Sequence, residues 1–219
     1  MLKGVIFDFD GTLFDSMWIW ETAGEVYLRS IGKEPQAGLQ KILKPMSLLQ
    51  SARYLRAQYG LSCSEQAIMD GVNRTVEDFY FHTAEPKPGV IAFLEALHRR
   101  EIKLCIATAT DRYQVEAALR RCGMERFFSE IFTCTEVGSG KDEPEIFRRA
   151  MAHLQTDRRT TAVVEDAYHA AYTAKQDGFA VVGVWDPHES RQAELRAITD
   201  FFLSDYGDLT TFWKFASAE

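Results

Sequence analysis

The sequence has few cysteines, and none of them is arranged for a structural task. Four occur among 219 residues, and no two are spaced as CxxC: Cys63, Cys105, Cys122 and Cys134. A disulfide framework or a zinc site normally uses closely spaced cysteines, so the pattern argues against both. A free cysteine in an apolar strand behaves as a small hydrophobic residue. We therefore expect a protein of a reducing compartment, the cytoplasm.

Long apolar runs and excess positive charge are also missing. No window reaches membrane-spanning length, and the N-terminal residues show no charged region followed by a long apolar stretch. The net charge of −7 would repel nucleic-acid phosphates and anionic membrane surfaces, so we expect no nucleic-acid and no membrane partner. A small anionic substrate remains compatible, since a local cation can hold it. No apolar stripe is surplus to the core, and we expect a monomer or a weak homodimer.

The order of apolar patterns predicts an α/β protein with a helical insert. A buried strand over 2–7 is followed, over 16–83, by apolar residues at helical spacing without a convincing strand. From residue 90 onward, strand and helix patterns alternate, which is typical of a parallel sheet with right-handed crossovers. We predict a Rossmann-like core formed by residues 1–15 and 84–219, and an inserted helical domain over 16–83.

The first strand ends in two carboxylates. Asp8 and Asp10 follow the apolar run that ends at Phe7, and Gly11-Thr12 comes next. Residues two apart in a strand share a face, so both side chains should point the same way. Two carboxylates at the end of a buried strand are costly unless a cation or a proton lies between them. We take this pair as the candidate catalytic centre.

Partners for this pair are expected at the carboxyl ends of other strands, where ligands collect in open parallel sheets. Thr108 ends one strand, and Lys141 opens a helix whose dipole it opposes. Glu165-Asp166 is a second acidic pair at a strand end. Each has an ordinary explanation as a helix cap, a surface lysine or a helix-opening acidic pair. Two acidic pairs without clustered histidine or cysteine favour a hard cation, Mg²⁺, over zinc.

The order of these elements is specific. Asp-x-Asp-Gly-Thr, a strand ending in Thr, a Lys with Pro three residues on, and a strand ending in Glu-Asp resemble the motif series of the haloacid dehalogenase superfamily. The resemblance covers essentially the whole chain, and the insert is similar to the helical cap of the phosphatase and β-phosphoglucomutase-like branch. It implies a Mg²⁺-dependent phosphatase that acts on a small phosphorylated metabolite.

The resemblance also implies chemical roles. Asp8 would be the nucleophile and form an aspartyl-phosphate, while Asp10 would protonate the leaving alcohol and then deprotonate water. Mg²⁺ would be held by the Asp8 carboxylate, the Asp10 carbonyl and Asp166. Asp10 separates this chemistry from that of dehalogenases, whose halide leaving group needs no proton.

Further residues are implied as phosphate ligands. Thr108 and Lys141 would hold phosphoryl oxygens, helped by backbone amides near Asp10 and Ala109. Glu165 would support the metal's water ligands or Lys141 from outside the ligand set.

Two alternatives stay open. The first is a β-phosphoglucomutase-like sugar phosphomutase. Such enzymes carry a His where this chain has Trp20. They also carry an Arg in a short cap motif, and the best match here, residues 45–48, has Leu48 in its place. The second is a catalytically silent binding protein on the same fold.

The insert is expected to close over the core on two linkers, 14–16 and 85–89, and to exclude water during transfer. At the junction, Phe14 or Trp20 is expected to form a wall of the substrate pocket, whereas Trp18 is expected to pack inside the insert.

Overall fold

The computed structural model describes residues 1–43, 46 and 48–217. Its backbone contacts divide the chain into two compact units, which are described separately. One comprises Met1–Asp15 with the chain from Ala84 onward, and the other, the helical insert, comprises Ser16–Thr83. This division falls where the apolar pattern of the sequence changes character.

The first unit is built on one parallel sheet. Within the described residues it has six strands: β1 Gly4–Phe7, β2 Lys103–Thr108, β3 Ile131–Thr133, β4 Thr161–Glu165, β5 Ala180–Val184 and β6 Phe201–Leu203. The strand order is β3-β2-β1-β4-β5-β6, and every pair is parallel. β1 is fully buried, as its unbroken apolar run predicts for a strand covered on both faces. The predicted α/β class with a parallel sheet is confirmed.

In the part of the helical insert that the structure describes there are four helices: α1 Met17–Ser30, α2 Leu39–Leu43, α3 Leu48–Tyr59 and α4 Glu65–His82. Ser64 caps α4 by accepting a hydrogen bond from Ala67 N at 3.1 Å. α1 and α4 pack closely where Gly71 faces Tyr27, since a Cβ at position 71 would lie 2.3 Å from the tyrosine ring. Of the 45–48 segment discussed above, Pro45 and Ser47 lie outside the described residues, as does the preceding Lys44.

Helices cover both faces of the sheet: α5 Val90–His98, α6 Arg112–Arg121, α7 Cys134–Val137, α8 Glu145–Leu154, α9 Tyr168–Gln176, α10 Gln192–Ile198 and α11 Leu209–Ala216. One face carries a mainly aliphatic cluster in which residues of α8 and α9 pack with residues of the central strands. The other carries an aromatic cluster in which Phe93 contacts Phe7, Tyr206 and Phe212. The sequence pattern did not predict α10. The same pattern predicts a strand over 130–134, but Cys134 instead begins α7, because the Thr133 hydroxyl caps that helix by accepting a hydrogen bond from Glu136 N.

Two features of the structure concern the expected compartment: the state of the cysteines and the length of the apolar helices. All four cysteines are free thiols, in agreement with the absence of a disulfide pattern. Among the described residues, no helix combines the length and the apolarity needed to cross a membrane.

Candidate active site

Polar residues meet at the carboxyl ends of the three central strands of the sheet. β1 lies between β2 and β4, and Phe7 is level with Ile106 on one side and Val164 on the other. The residues that follow these strands therefore emerge side by side at one edge. The chain leaves β1 toward β2 on one side and returns to β4 on the other, which is the strand-order reversal where α/β proteins bind ligands.

Asp8 and Asp10 occupy a tight loop directly after β1. Asp8 N still donates to Val164 O at 2.9 Å, so the first aspartate continues the strand ladder. Gly11 has φ +76° and donates its N–H to Phe14 O at 2.9 Å, which closes the turn. A side chain at position 11 would be strained in this left-handed conformation, and this explains the glycine of the motif. Both carboxylates are nearly buried, at 8% and 9% exposure.

Lys141 reaches this loop from the segment before α8. Its Nζ donates to Glu165 Oε1 at 2.6 Å and to Asp8 Oδ1, and the side chain is almost fully enclosed. Burial alone would lower the pKa of Lys141, but the charges of Asp8 and Glu165 outweigh it and hold the pKa above the ordinary value. The lysine is therefore a fixed positive charge between two carboxylates. Its placement against the helix dipole is explained by these acidic partners.

Glu165 and Asp166 end β4 in an environment that disfavours negative charge. Burial raises the pKa of Glu165 to about 7, against the opposing attraction of Lys141. Burial also raises the pKa of Asp166 well above its ordinary value, with the nearby charges of Asp8 and Glu165 adding to the effect. The hydroxyl of Thr12 donates to Asp166 Oδ1 at 2.9 Å and partly offsets this shift. Lys141 thus compensates Glu165, whereas Asp166 is held close to other negative groups with the Thr12 hydroxyl as its partner.

This arrangement fits a divalent cation. Asp8, Glu165 and Asp166 each offer an oxygen within 4.8 Å of the others, and all three are buried. Lys141 is a single positive charge among these carboxylates and Asp10, so the cluster carries excess buried negative charge. A hard cation with oxygen ligands relieves that excess. Both oxygens of Glu165 accept protein hydrogen bonds, from Lys141 Nζ and from Ala167 N at 3.3 Å, whereas the contact of Asp8 with Lys141 uses Oδ1 alone. Asp8 and Asp166 are therefore the side chains best placed to be ligands.

Two threonines, one at the end of β2 and one just after it, have different contacts. Thr108 is buried, and its hydroxyl accepts a hydrogen bond from Thr110 N at 3.1 Å. The hydroxyl of Thr110 donates to Asp10 Oδ2 at 2.5 Å. A threonine or an aspartate is a favoured cap at the start of a helix such as α6. Asp111 occupies the cap position without a side-chain cap bond, and Thr110 faces Asp10 instead. Ala109, between the two threonines, has an exposed side chain, and its expected contribution comes from its backbone.

Two further buried residues were missed by the sequence interpretation. Asp186 is fully buried after β5, and Lys87 Nζ lies 2.8 Å from its Oδ2. The negative charge of Asp186 also contributes to the raised pKa of Asp166. Its signal was available, because Asp186 follows a strand end as the other acids do. Tyr206, whose hydroxyl donates to Thr12 O at 3.0 Å, comes from the loop after β6 and carries no such signal.

Three aromatic residues, Phe14, Trp18 and Trp20, were expected either to form a wall of the substrate pocket or to pack inside the insert. Phe14 is fully buried and stacks on Phe9 with ring centroids 4.4 Å apart, so its expected role as a pocket wall is wrong. Trp18 packs edge-on against Phe79 inside the insert, with ring centroids 5.0 Å apart, and it remains 44% exposed. Trp20 donates its indole N–H to Tyr80 Oη at 2.8 Å within the insert.

Comparison with known proteins agrees with this geometry. A (DL)-glycerol-3-phosphatase 2 from Arabidopsis thaliana is 30% identical over 193 residues, covering 84% of this chain and 79% of that protein. A phosphorylated carbohydrates phosphatase from Thermotoga maritima is 25% identical over 177 residues, covering 81% and 82%. The solved structure of β-phosphoglucomutase from Clostridium difficile superposes with a TM-score of 0.79 at 18% identity, covering 99% and 97%.

The family model of haloacid dehalogenase-like hydrolases matches residues 5–184. This range includes the Asp8-to-Asp10 loop, the end of β2, Lys141 and the end of β4. The likeness to the mutase structure concerns the fold alone, which hosts more than one chemistry. The match over most of the sequence shows that the chain is an enzyme of the hydrolase type and that it belongs to the haloacid dehalogenase-like hydrolase family.

Proposed function

We propose that this protein is a Mg²⁺-dependent phosphatase that hydrolyses a small phosphorylated metabolite through an aspartyl-phosphate. The observation that carries the proposal is the convergence of Asp8, Asp10, Lys141 and Asp166 at one edge of the sheet. Phosphoryl transfer requires an in-line nucleophile, a proton donor and acceptor, and positive charge on the phosphoryl oxygens. Each requirement has a side chain of suitable chemistry within this cluster.

In the first half-reaction, an Asp8 oxygen attacks phosphorus, and the bond from phosphorus to the ester oxygen breaks. The departing oxygen keeps the electron pair and takes a proton from Asp10. In the second, Asp10 takes a proton from water, the water oxygen attacks phosphorus, and the Asp8–phosphorus bond breaks to release phosphate. The hydrogen bond from Thr110 holds the Asp10 carboxylate in place for both transfers.

Lys141, Thr108 and the backbone amides near Asp10 and Ala109 are proposed to bind the phosphoryl oxygens. An ammonium has three N–H donors, and among the described contacts Lys141 uses two of them on Asp8 and Glu165. The third donor is suited to a phosphoryl oxygen. Glu165 then acts through Lys141, since it holds the ammonium beside the nucleophile.

Asp8 and Asp166, with the Asp10 carbonyl, are proposed to hold Mg²⁺. When bound, the cation reduces the repulsion between a carboxylate nucleophile and a phosphate dianion. The preference for Mg²⁺ over softer metals is supported by the all-oxygen donor set.

The substrate class is proposed from the relatives. One is named for phosphorylated carbohydrates and another for glycerol 3-phosphate. We therefore propose a phosphorylated sugar or polyol, present in the cytoplasm, where the four free cysteines would stay reduced. The helical insert is proposed to be the cap that distinguishes leaving groups.

The test is release of inorganic phosphate from a panel of phosphorylated sugars, polyols, nucleotides and glycolate, with Mg²⁺ or with EDTA. We expect Asp8→Asn to abolish turnover. Asp15→Asn, the same change at an exposed carboxylate of the same segment, should keep it. Asp10→Asn removes the acid of the first half-reaction and the base of the second. With an aryl phosphate, whose leaving phenoxide needs little protonation, only the second step should be blocked, and intact-mass measurement should detect a protein heavier by one phosphoryl group. A wild-type protein that releases no phosphate from any compound contradicts the proposal and favours a silent binding protein.

The mutase alternative is separated by its product. β-Glucose 1-phosphate with a bisphosphate primer gives glucose 6-phosphate in a mutase and free phosphate in a phosphatase. Trp20 replaces the histidine of the mutases and is engaged by Tyr80 in the insert, which favours the phosphatase. Glucose 6-phosphate as the main product would overturn this preference.

A further inference from the structure

Tyr206 is an enclosed residue that touches the catalytic loop from a distant part of the sequence. It follows β6, is 2% exposed, and donates its hydroxyl proton to the carbonyl of Thr12 at 3.0 Å. The two residues are separated by 194 positions. A buried carbonyl needs a hydrogen-bond partner, and here the partner is a tyrosine that has no part in the proposed phosphoryl transfer.

The side chain of Tyr206 is closely packed. Phe93 meets it edge-on, with ring centroids 5.1 Å apart and planes at 73°. Gly89, with φ +85°, lies against the base of the side chain, since a Cβ there would be 3.1 Å from Tyr206 Cβ. The approach is therefore possible because position 89 has no side chain. This packing fixes the direction of the hydroxyl, which arrives at Thr12 without the freedom of a surface side chain.

Thr12 connects Tyr206 to Asp166 of the acidic cluster. Its carbonyl accepts from Tyr206, and its hydroxyl donates to Asp166 Oδ1 at 2.9 Å. Both hydrogen bonds are buried, and Thr12 alone links the tyrosine to the aspartate. Burial raises the pKa of Tyr206 well above its ordinary value, and the charges of Asp166 and Asp8 act in the same direction. The hydroxyl therefore keeps its proton and remains a donor at neutral pH.

We propose that Tyr206 is a positioning residue for the cation site: by holding the Thr12 peptide, it keeps the Thr12 hydroxyl directed at Asp166. This inference rests on the proposed function, in which Asp166 is a Mg²⁺ ligand. Groups that orient a metal ligand through a hydrogen bond change metal affinity without touching the metal. Tyr206 acts one residue further out than Thr12, so its removal should have the smaller effect of the two.

The test compares Tyr206→Phe with the wild type. Phenylalanine keeps the ring and its contacts with Phe93 and loses only the hydroxyl. Tyr172→Phe is the matched control, since Tyr172 is 46% exposed on α9. Calorimetric titration of the metal-free protein with Mg²⁺ should give a dissociation constant raised roughly three- to tenfold in Tyr206→Phe and unchanged in the control. Thr12→Val should raise it by about ten- to a hundredfold.

Activity measurements complete the test. For Tyr206→Phe, excess Mg²⁺ should restore kcat to within about twofold of the wild type, because the loss is one of metal affinity. In the double variant with Thr12→Val, Tyr206→Phe should add no further loss, since its effect passes through the Thr12 hydroxyl.

The outcomes are distinguishable. If the wild type binds Mg²⁺ and releases phosphate while Tyr206→Phe has an unchanged Mg²⁺ affinity, the inference is overturned and the proposed function stands. A lowered melting temperature with unchanged affinity also overturns the inference, since it marks a purely structural tyrosine. A wild type that binds no Mg²⁺ overturns both.

Discussion

Lys141 lies between Asp8 and Glu165, 2.6 Å from the Glu165 carboxylate and in hydrogen-bond contact with Asp8. The proposed nucleophile and the end of β4 thus share one buried cation. Breaking a buried ion pair by removing one partner is strongly destabilising, because the charge that remains is uncompensated. The same lysine therefore serves both the stability of the sheet edge and the proposed chemistry.

Replacing this lysine tests both roles. Lys141→Met should lower phosphate release roughly 10²–10³-fold, since a positive charge is lost where the phosphoryl oxygens bind. It should also lower the free energy of unfolding at pH 7.5 by about 3 kcal/mol. Steady-state kinetics and denaturant unfolding provide the measurements. Lys214→Met, at an exposed position on α11, is the control. Full activity in Lys141→Met would remove the lysine from the mechanism.

Glu165 makes the stability of the metal-free protein depend on pH. Its folded-state pKa of about 7 lies above the ordinary value of about 4.3, so the folded protein binds this proton more tightly than the unfolded chain. The metal-free protein should therefore lose stability, by at most about 4 kcal/mol, as the pH rises from about 4.3 to about 7. Asp166 acts in the same sense, whereas His169, whose pKa is lowered by desolvation, acts in the opposite one.

The measurement is urea unfolding in EDTA at pH 5, 6, 7 and 8 on the wild type and Glu165→Gln. The variant removes the Glu165 contribution and leaves that of His169, so its stability should fall less as the pH rises. Mg²⁺ should stabilise the wild type more at pH 8 than at pH 5, because cation ligands must be deprotonated. Parallel pH profiles for the two proteins would contradict the assignment to Glu165.

Thr110→Val should impair proton transfer selectively. Removing the 2.5 Å hydrogen bond to Asp10 frees the carboxylate to rotate away from the leaving oxygen. An alkyl phosphate needs a proton on its departing oxygen, and kcat should fall roughly 10–100-fold. An aryl phosphate with an acidic phenol needs little protonation, and the loss there should stay within a few-fold.

Thr135→Val controls for the loss of a threonine hydroxyl that donates to an aspartate, here Asp111, at an exposed position. It should leave the rates with both substrates unchanged. Equal losses of Thr110→Val on alkyl and aryl phosphates would show that the hydroxyl does not orient the acid.

The helical insert provides a test of packing alone. Helix propensity predicts that Gly71→Ala in α4 stabilises by about 1 kcal/mol. The new Cβ would lie 2.3 Å from the Tyr27 ring, and we expect destabilisation by about 1–3 kcal/mol instead. Thermal unfolding gives the sign. Ala57→Gly, at an exposed site on α3, measures the propensity contribution by itself. A raised melting temperature in Gly71→Ala would show that the α1–α4 contact adjusts freely.

Local sequence signals were sufficient for most elements. The apolar pattern predicts helices over 39–43, 48–59 and 112–121, and α2, α3 and α6 have these bounds. Apolar residues at helical spacing and the glycines or prolines around them act over a few residues, so such bounds can be predicted locally. The short α10 escaped prediction because its seven residues bury only Leu195 and give little periodicity. Cys134 was misassigned to β3 because its side chain suits a strand, whereas Thr133 can cap a helix.

The candidate site likewise has features that local sequence predicts and contacts that it does not. The sequence by itself determined the α/β class, the acidic loop after β1 and the polar strand ends, since these follow from residue type and near-neighbour spacing. Only the tertiary structure decided that Lys141 pairs with Asp8 and Glu165, that Thr110 faces Asp10 and that Tyr206 reaches Thr12. Such contacts join residues 24 to 194 positions apart, and their geometry depends on strand register and packing that no local pattern contains.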